Sequence, residues 1–167
     1  NEDAESLPSA TIRNMQGERL DSSYAADCII GAGEWYVADG TISIPSGNLE
    51  IETRAELYVL DGAVIGLKDG HPSASDPDDR PGELIVNGLL RILSDPSHPA
   101  TITTVTDSPP DENGFSLKLI GAVDYGTGSG TIIQNCYLTN LHIGDGAVHI
   151  SSCSPKFYHV RLYGNES

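Results

Sequence analysis

The sequence predicts an all-β domain in which short parallel strands stack coil upon coil. Apolar and polar residues alternate with a period of two in many short runs, such as "EWYVA", "ELYVL" and "TIIQNC", which is typical of half-buried strands. Turn-forming Asn-Gly and Asp-Gly pairs separate the runs at Asp39, Asp61, Asp69, Asn87, Asn113 and Asp145. Apolar positions also repeat 24 residues apart, in the pairs Ile133 and Phe157, Cys136 and Val160, and Leu138 and Leu162.

The interval between turns decides between two all-β folds. Asn-Gly between strands usually marks a hairpin, so an antiparallel sandwich is the alternative. However, the intervals from Asp39 to Asp61 and from Asp61 to Asn87 are both in the twenties. Such intervals, without helices, favour one coil of a parallel β-helix, in which each strand pairs with its equivalent in the next coil. Inward-facing columns would then join Ile133 to Phe157 and Leu138 to Leu162.

Two segments resemble a known superfamily. "ISIPSGNLEIETRAELYVLDGAVIGL" and "GELIVNGLLRILSDPSHPATITTV" are similar to the opening coils of secreted bacterial right-handed parallel β-helix proteins, and "TIIQNCYLTN" and "SSCSPKFYHVRLYGN" to their middle coils. This is the pectate lyase-like superfamily, and the resemblance covers residues 31–165. It implies a right-handed solenoid, as the crossover rule for parallel strands also does. The superfamily's catalytic Asp pairs and Arg–Lys segment have no counterpart here, so the resemblance transfers no catalytic residue.

The chain is expected to form one domain with two different ends. Residues 1–30 are less periodic and are predicted to cap the first coil, and residues 31–167 are predicted to form the coils. The sequence ends at "LYGNES", directly after a strand and without a polar capping element. An uncapped coil exposes core side chains and strand edges. We therefore expect either a longer chain or end-to-end self-association with another chain.

Composition limits the classes of partner. Nine Lys and Arg residues against 24 Asp and Glu give a formal net charge of −15, which repels nucleic acid and anionic lipid surfaces. No apolar run reaches the roughly 20 residues needed to cross a bilayer, so no membrane insertion is predicted. High acidity suits an extracellular or cell-surface protein in a salty medium, or one that collects divalent cations.

Insertions rich in Pro, Ser and acidic residues interrupt the coils at 69–82 and 106–114, and a shorter, more flexible one is predicted at 124–130. The first contains the densest group of carboxylates, Asp76, Asp78 and Asp79. Calcium prefers six to eight oxygen ligands, so these residues are candidate calcium ligands. A solvated acidic loop without metal is the alternative, because no known calcium motif is present.

Outward-facing residues of the repeated coils form a candidate carbohydrate surface. The repeat places Gln134 beneath Tyr158, Tyr137 beneath Arg161, and Thr139 beneath Tyr163. Tyrosine rings stack on sugars, and Arg161, Lys156 and Gln134 would bond hydroxyls or carboxylates of a polysaccharide or surface glycan. The candidate site residues are Gln134, Tyr137, Tyr158, Arg161 and Tyr163. Tyr also occurs on exposed strands for its β propensity alone.

The sequence contains little material for acid–base catalysis. The only candidates near the C-terminal coils are His142, His149 and His159, with Asp124 and Asp145. No facing carboxyl pair is evident among them, so no catalytic residue is predicted. We expect a non-catalytic, adhesive, structural or carbohydrate-recognising part of an exported bacterial protein. The alternative is the N-terminal part of a polysaccharide lyase or glycoside hydrolase whose catalytic coils lie outside this sequence.

Cysteine usage gives a further expectation. Cys28, Cys136 and Cys153 form neither a disulfide framework nor a CxxC metal motif. Buried free thiols that pack as small hydrophobes are favoured over a bridge between Cys136 and Cys153. The bridge, if formed, would indicate maturation in an oxidising compartment.

Overall fold

Three parallel sheets make up the computed structural model, which describes residues 18–19, 27–45, 47–68, 80–105, 114–126, 128–141 and 147–164. Within these ranges the chain has sixteen strands and no helix. The strands are β1 (Glu18–Arg19), β2 (Cys28–Ile30), β3 (Trp35–Ala38), β4 (Thr41–Ile44), β5 (Leu49–Ile51), β6 (Glu56–Val59), β7 (Val64–Lys68), β8 (Glu83–Val86), β9 (Leu89–Leu93), β10 (Ala100–Val105), β11 (Ser116–Ile120), β12 (Ile132–Gln134), β13 (Cys136–Leu141), β14 (Val148–Ser151), β15 (Lys156–Tyr158) and β16 (Arg161–Gly164).

From β2 onward the chain visits the three sheets in strict rotation. Sheet A has the order β1-β3-β6-β9-β12-β15, sheet B the order β4-β7-β10-β13-β16, and sheet C the order β2-β5-β8-β11-β14. One strand each from sheets C, A and B makes a coil, so coil 1 is β2–β4 and coil 5 is β14–β16. All pairs between these strands are parallel. The all-β prediction is confirmed, the arrangement is β-helix-like, and the antiparallel sandwich is excluded.

The register of the last two coils matches the predicted repeat. Ile133 pairs with Phe157, and Leu138 pairs with Leu162, at the interval that the sequence indicated. The interval from Asp61 to Asn87 does not join equivalent positions of two coils, because Asp61 follows a sheet A strand and Asn87 follows a sheet C strand. Those two turns lie at different corners, so their spacing is not the length of a coil.

The core consists of inward-facing columns that continue from coil to coil. In sheet B one column runs through Ile42, Ile65, Ile102 and Leu138, whose side chains are at most 1% exposed. Equivalent columns in sheets A and C include Leu57, Leu90, Leu84 and Leu117. Burying each such side chain contributes about 1.5–3 kcal/mol. The alternation of apolar and polar residues therefore fixes which side of each strand faces the interior.

The outer face of sheet A is also buried in its middle coils. Arg91 and Ile132 are neighbours on this face, and both side chains are buried. The Arg91 guanidinium donates to the carbonyl oxygens of Gly130 at 2.7 Å and Gly128 at 3.1 Å. Residues 128–130 are therefore held against sheet A by a buried cation, a restraint that their Gly-rich composition did not indicate.

Two acidic insertions connect the same pair of sheets. The segments 69–79 and 106–113 each lie between a sheet B strand and a sheet C strand, at β7 to β8 and at β10 to β11. The residues of these segments, including the calcium candidates Asp76, Asp78 and Asp79, lie outside the described residues. No helix in the described part of the chain is long and apolar enough to cross a membrane.

The three cysteines are free thiols. Cys28 and Cys136 are buried, as expected of small hydrophobes, whereas Cys153 in coil 5 is only half-buried. The Cys153 thiol donates to the carbonyl oxygen of Leu119 at 3.3 Å. Burial raises the pKa of the Cys136 thiol to about 12.

Candidate functional site

The corner between sheets A and B changes length from coil to coil. In coil 4 it is the single residue Asn135, whose φ is +49°. In coil 5 the same place holds His159, also with a φ of +49°. Asn and His are among the residues that most readily adopt this left-handed conformation, which turns the chain sharply from one sheet to the next. In coil 3 the corner is longer and comprises residues 94–99.

The long turn of coil 3 is ordered by its own polar groups. The Asp95 carboxylate accepts hydrogen bonds from the backbone N–H of Ser97 at 2.8 Å and from the Ser97 hydroxyl. These bonds lower the pKa of Asp95. The Asp95 N–H in turn donates to the Asp61 carboxylate of the coil below at 2.7 Å. The turn is thus anchored, and its two prolines are held in place.

A cleft of about 420 Å³ forms where the long turn meets the short corners above it. Its floor includes Asn135, whose amide donates to the carbonyl oxygen of Ser94 at 2.7 Å and whose side chain is almost fully buried. The residues that line the cleft are Pro96, Pro99, Asn135, Tyr137, His159, Val160 and Arg161. The cleft therefore combines apolar walls with an imidazole, a phenol and a guanidinium.

Two tyrosines and one arginine form a cluster at the mouth of the cleft, on sheet B. The Arg161 guanidinium carbon lies 5.6 Å from the ring centre of Tyr137. The Tyr137 and Tyr163 rings meet edge to face, with centres 6.3 Å apart and an angle of 83° between their planes. A hydrogen bond with Tyr163 raises the pKa of Arg161. Arg161 and Tyr163 are exposed and Tyr137 is half-buried, so the cluster is accessible to a ligand.

Tyr158 lies on the other side of the corner, on sheet A. Its ring is 4.0 Å from the His159 imidazole, centre to centre, at an angle of 30°. The Lys156 ammonium lies 5.9 Å from the Tyr158 ring centre and 4.9 Å from that of Tyr125. Tyr158 is thus connected to the cleft through the ring of His159, and it does not share the face of Tyr137 and Arg161.

The predicted columns are confirmed, but one predicted residue is inaccessible. The structure pairs Gln134 with Tyr158, Tyr137 with Arg161, and Thr139 with Tyr163. Gln134 is only 2% exposed on the outer face of sheet A, so its side chain is not open to a ligand in this structure and its role in binding stays a prediction. No pattern in the sequence indicated a cleft lined by Pro96, Pro99 and His159, which become neighbours only when coils 3, 4 and 5 are stacked in register.

The charge around the cleft differs from that of the whole chain. Residues 147–164, which form coil 5, contain Lys156 and Arg161 and no Asp or Glu, although the formal net charge of the chain is −15. Coil 1, at residues 27–45, contains three carboxylates and no Lys or Arg. A ligand that carries hydroxyls or carboxylates therefore meets the least acidic part of the stack at this cleft.

A second concavity, of about 370 Å³, lies between sheets C and A near coils 1 to 3, and its lining includes Glu50, Glu52 and Arg54. The Glu52 carboxylate accepts from the backbone N–H of Ala32 at 3.1 Å, so it stabilises the corner. In the described part of the chain, no three His, Cys, Asp or Glu side chains are grouped so that they could hold a metal ion.

Comparison with known proteins finds no match for this chain among protein-family models, curated proteins or solved structures. The functional proposal therefore rests on the chemistry of the cleft and of the cluster of Tyr137, Arg161 and Tyr163.

Proposed function

We propose that this chain is the non-catalytic, right-handed parallel β-helix part of an exported or cell-surface protein of the pectate lyase-like type, and that it recognises carbohydrate. Right-handedness is the rule for parallel strands joined by crossovers in one sheet. The strong acidity of the chain supports an extracellular location, where salt screens self-repulsion. The proposed binding surface consists of Tyr137, His159, Arg161 and Tyr163 around the cleft.

One observation carries the proposal: two tyrosine rings in edge-to-face contact lie with an arginine beside an apolar cleft. The C–H faces of sugar rings stack on aromatic rings, and the planar fork of a guanidinium matches pairs of hydroxyls or a carboxylate. All three side chains extend from paired strands, so the backbone positions that carry them are set before a ligand arrives. Little ordering free energy is then lost on binding.

The dimensions and charge of the cleft support the same ligand class. Its volume of about 420 Å³ falls within the range of sites that bind small molecules or part of a longer chain. Around the cleft, coil 5 contributes two cations and no carboxylate, while the Asp95 carboxylate of the coil 3 turn is bonded to Ser97. Pro96 and Pro99 give the cleft a rigid apolar wall opposite Arg161.

Binding to a polysaccharide array, with calcium and with chelator, tests the proposal. We expect the 167-residue chain to bind a defined glycan. Tyr137→Ala and Arg161→Ala should each weaken binding at least about tenfold, or about 1.4 kcal/mol. Thr41→Ala is the matched control, because Thr41 lies in the same outward column of sheet B, in coil 1. Tyr158→Ala tests whether the site extends across the corner to sheet A.

Three outcomes would contradict the proposal. Failure to bind any glycan in either buffer removes carbohydrate recognition from these coils. Binding that survives both Tyr137→Ala and Arg161→Ala places the site elsewhere. Cleavage of the bound glycan would favour the lyase or hydrolase alternative over a non-catalytic role. If the unchanged chain loses glycan binding in chelator, and Tyr137→Ala and Arg161→Ala do not bind in calcium, the same site also requires calcium.

A further inference from the structure

A second group of aromatic and cationic side chains lies on the outer face of sheet A, next to the proposed glycan site. It consists of Tyr125, Lys156 and Tyr158. The Lys156 ammonium lies 4.9 Å from the ring centre of Tyr125, 5.9 Å from that of Tyr158 and 3.4 Å from the Tyr125 hydroxyl. All three side chains are half-buried, so part of each faces solvent. We name this group the sheet A cluster.

Backbone hydrogen bonds fix the positions from which the sheet A cluster extends. The Tyr125 N–H donates to the carbonyl oxygen of Ser154 at 2.9 Å, and the Ser154 N–H donates to the Asp124 carboxylate at 2.6 Å. The Lys156 N–H donates to the carbonyl oxygen of Thr131 at 3.0 Å. The connection that carries Tyr125 is therefore tied to coil 5 just before β15 begins.

The sheet A cluster continues into the cleft through the corner of coil 5. The Tyr158 ring lies 4.0 Å from the His159 imidazole, centre to centre, and His159 lines the cleft together with Arg161. On the far side of the cleft, Arg161 lies 5.6 Å from the ring centre of Tyr137, which contacts Tyr163. Aromatic rings and cations thus form one band that crosses the corner from sheet A to sheet B. We name it the coil 5 band.

The outer face of sheet B offers no such band along the stack. From Tyr137 the same outward column continues through Thr101 and Val64 to Thr41. None of these three residues carries a ring or a charge. Sugar rings gain most from stacking on aromatic rings, so a glycan bound at Tyr137 finds its further contacts around the corner rather than in coils 1 to 3.

We propose that the sheet A cluster is a second subsite for the glycan of the cleft, so that a linear oligosaccharide crosses the corner and follows coil 5 instead of the stack axis. This inference rests on the proposed carbohydrate function. The Lys156 ammonium has three N–H donors for hydroxyl or carboxylate oxygens, and Tyr125 and Tyr158 supply ring faces.

The spacing of the two subsites sets the class of ligand. Outward-facing residues of one strand are about 7 Å apart, which is longer than one sugar ring. Lys156 and Arg161 stand on different sheets, on either side of the corner. One sugar residue therefore cannot contact both cations, and the ligand that uses the whole coil 5 band is a linear chain of several sugar residues.

Binding of oligosaccharides of rising length tests the proposal. The probes are the disaccharides to hexasaccharides of glucose, of N-acetylglucosamine and of a uronic acid. In a series that binds, the hexasaccharide should bind at least about tenfold tighter than the disaccharide, because the second subsite is engaged intramolecularly. Lys156→Met and Tyr158→Ala should each remove most of this gain and leave binding of the disaccharide unchanged. Lys118→Met is the matched control, since Lys118 is a cation of coil 4 on sheet C that pairs with Glu83, and it should keep the gain.

The outcomes separate this inference from the proposed function. Equal affinity for all lengths, with binding lost in Tyr137→Ala and Arg161→Ala, overturns the second subsite and leaves the cleft site in place. A gain that survives Lys156→Met but is lost in Thr101→Ala overturns the path around the corner, because the glycan would then run along the stack. An equal loss in Lys118→Met overturns the location. Failure of all three series to bind overturns both proposals. Circular dichroism verifies that each variant is folded.

Discussion

Coils 4 and 5 carry apolar residues at the same places, yet their surroundings differ. Leu138 of coil 4 is fully buried, while its partner Leu162 is 57% exposed. The sheet, the register and the side chain are the same, and only the number of neighbouring coils has changed. Burial in a stacked fold is thus provided by the adjacent coil, and its contribution to stability belongs to the interface between coils.

The largest difference in the free energy of unfolding is expected between alanine substitutions of Leu138 and Leu162. Leu138→Ala should lower the free energy of unfolding by about 2–5 kcal/mol, since it leaves a cavity between two coils. Leu162→Ala should cost less than about 1 kcal/mol, because more than half of its side chain already contacts solvent. Urea titrations of the two variants measure both values. Equal costs would show that coil 5 is not an end coil in solution.

The backbone of Gly130 comes very close to the backbone of Asp124, at the start of the same connection in coil 4. A Cβ on Gly130 would lie 1.7 Å from the carbonyl oxygen of Asp124. Gly130→Ala should therefore cost about 3 kcal/mol, as the backbone must move. Gly31→Ala is the control, because the nearest atom there is the end of the flexible Glu34 side chain. A neutral Gly130→Ala in thermal unfolding would mean that the backbone of Gly130 does not lie this close to Asp124 in solution.

One column of sheet A contains both a buried and a half-buried cation. Arg91 pairs with Ile132, which pairs with Lys156 in coil 5. Arg91→Met should cost about 1–3 kcal/mol, since the buried carbonyl of Gly130 loses its donor. Lys156→Met should change stability by less than about 0.5 kcal/mol. Chemical denaturation measures the free energy of unfolding of both variants. Similar losses would contradict a specific stabilising role for the hydrogen bond from Arg91 to Gly130.

Cys136 in coil 4 and Cys153 in coil 5 should differ in the reactivity of their thiols. The pKa of Cys136 is raised to about 12 by burial, so in mildly alkaline buffer the folded chain holds almost none of its reactive thiolate. Cys153 is only half-buried in coil 5. Iodoacetamide should label Cys153 at least about tenfold faster than Cys136, a difference of about 1.4 kcal/mol. Mass spectrometry of timed samples measures both rates, and equal rates would indicate that the coils open together.

Sequence patterning alone predicted the stack and much of its register. Ile133 and Leu138 could be matched to Phe157 and Leu162 because alternation shows which side of a strand is apolar, and a constant interval shows which strands are equivalent. The interval from Asp61 to Asn87 was misleading, since a turn motif does not reveal which corner it occupies.

The site was predictable only in part. The placement of Tyr137, Arg161 and Tyr163 on neighbouring strands could be predicted, because the partners of these strands follow from the repeat. The burial of Gln134 could not be predicted, because alternation assigns a side chain to a face of the sheet but does not show whether that face is exposed. The cleft also depends on the long turn 94–99 lying beneath Asn135 and His159, a contact between coils that no local pattern encodes.

The corner between sheets B and C has a practical consequence for engineering. Ile42 and Ile65 stack directly, and Ile65 and Ile102 stack equally well although the chain between them is much longer. Chain length at this corner is thus independent of the spacing between coils. Foreign peptides inserted there would be displayed at a fixed height on a rigid stem, and several could be placed at intervals of about 4.8 Å per coil.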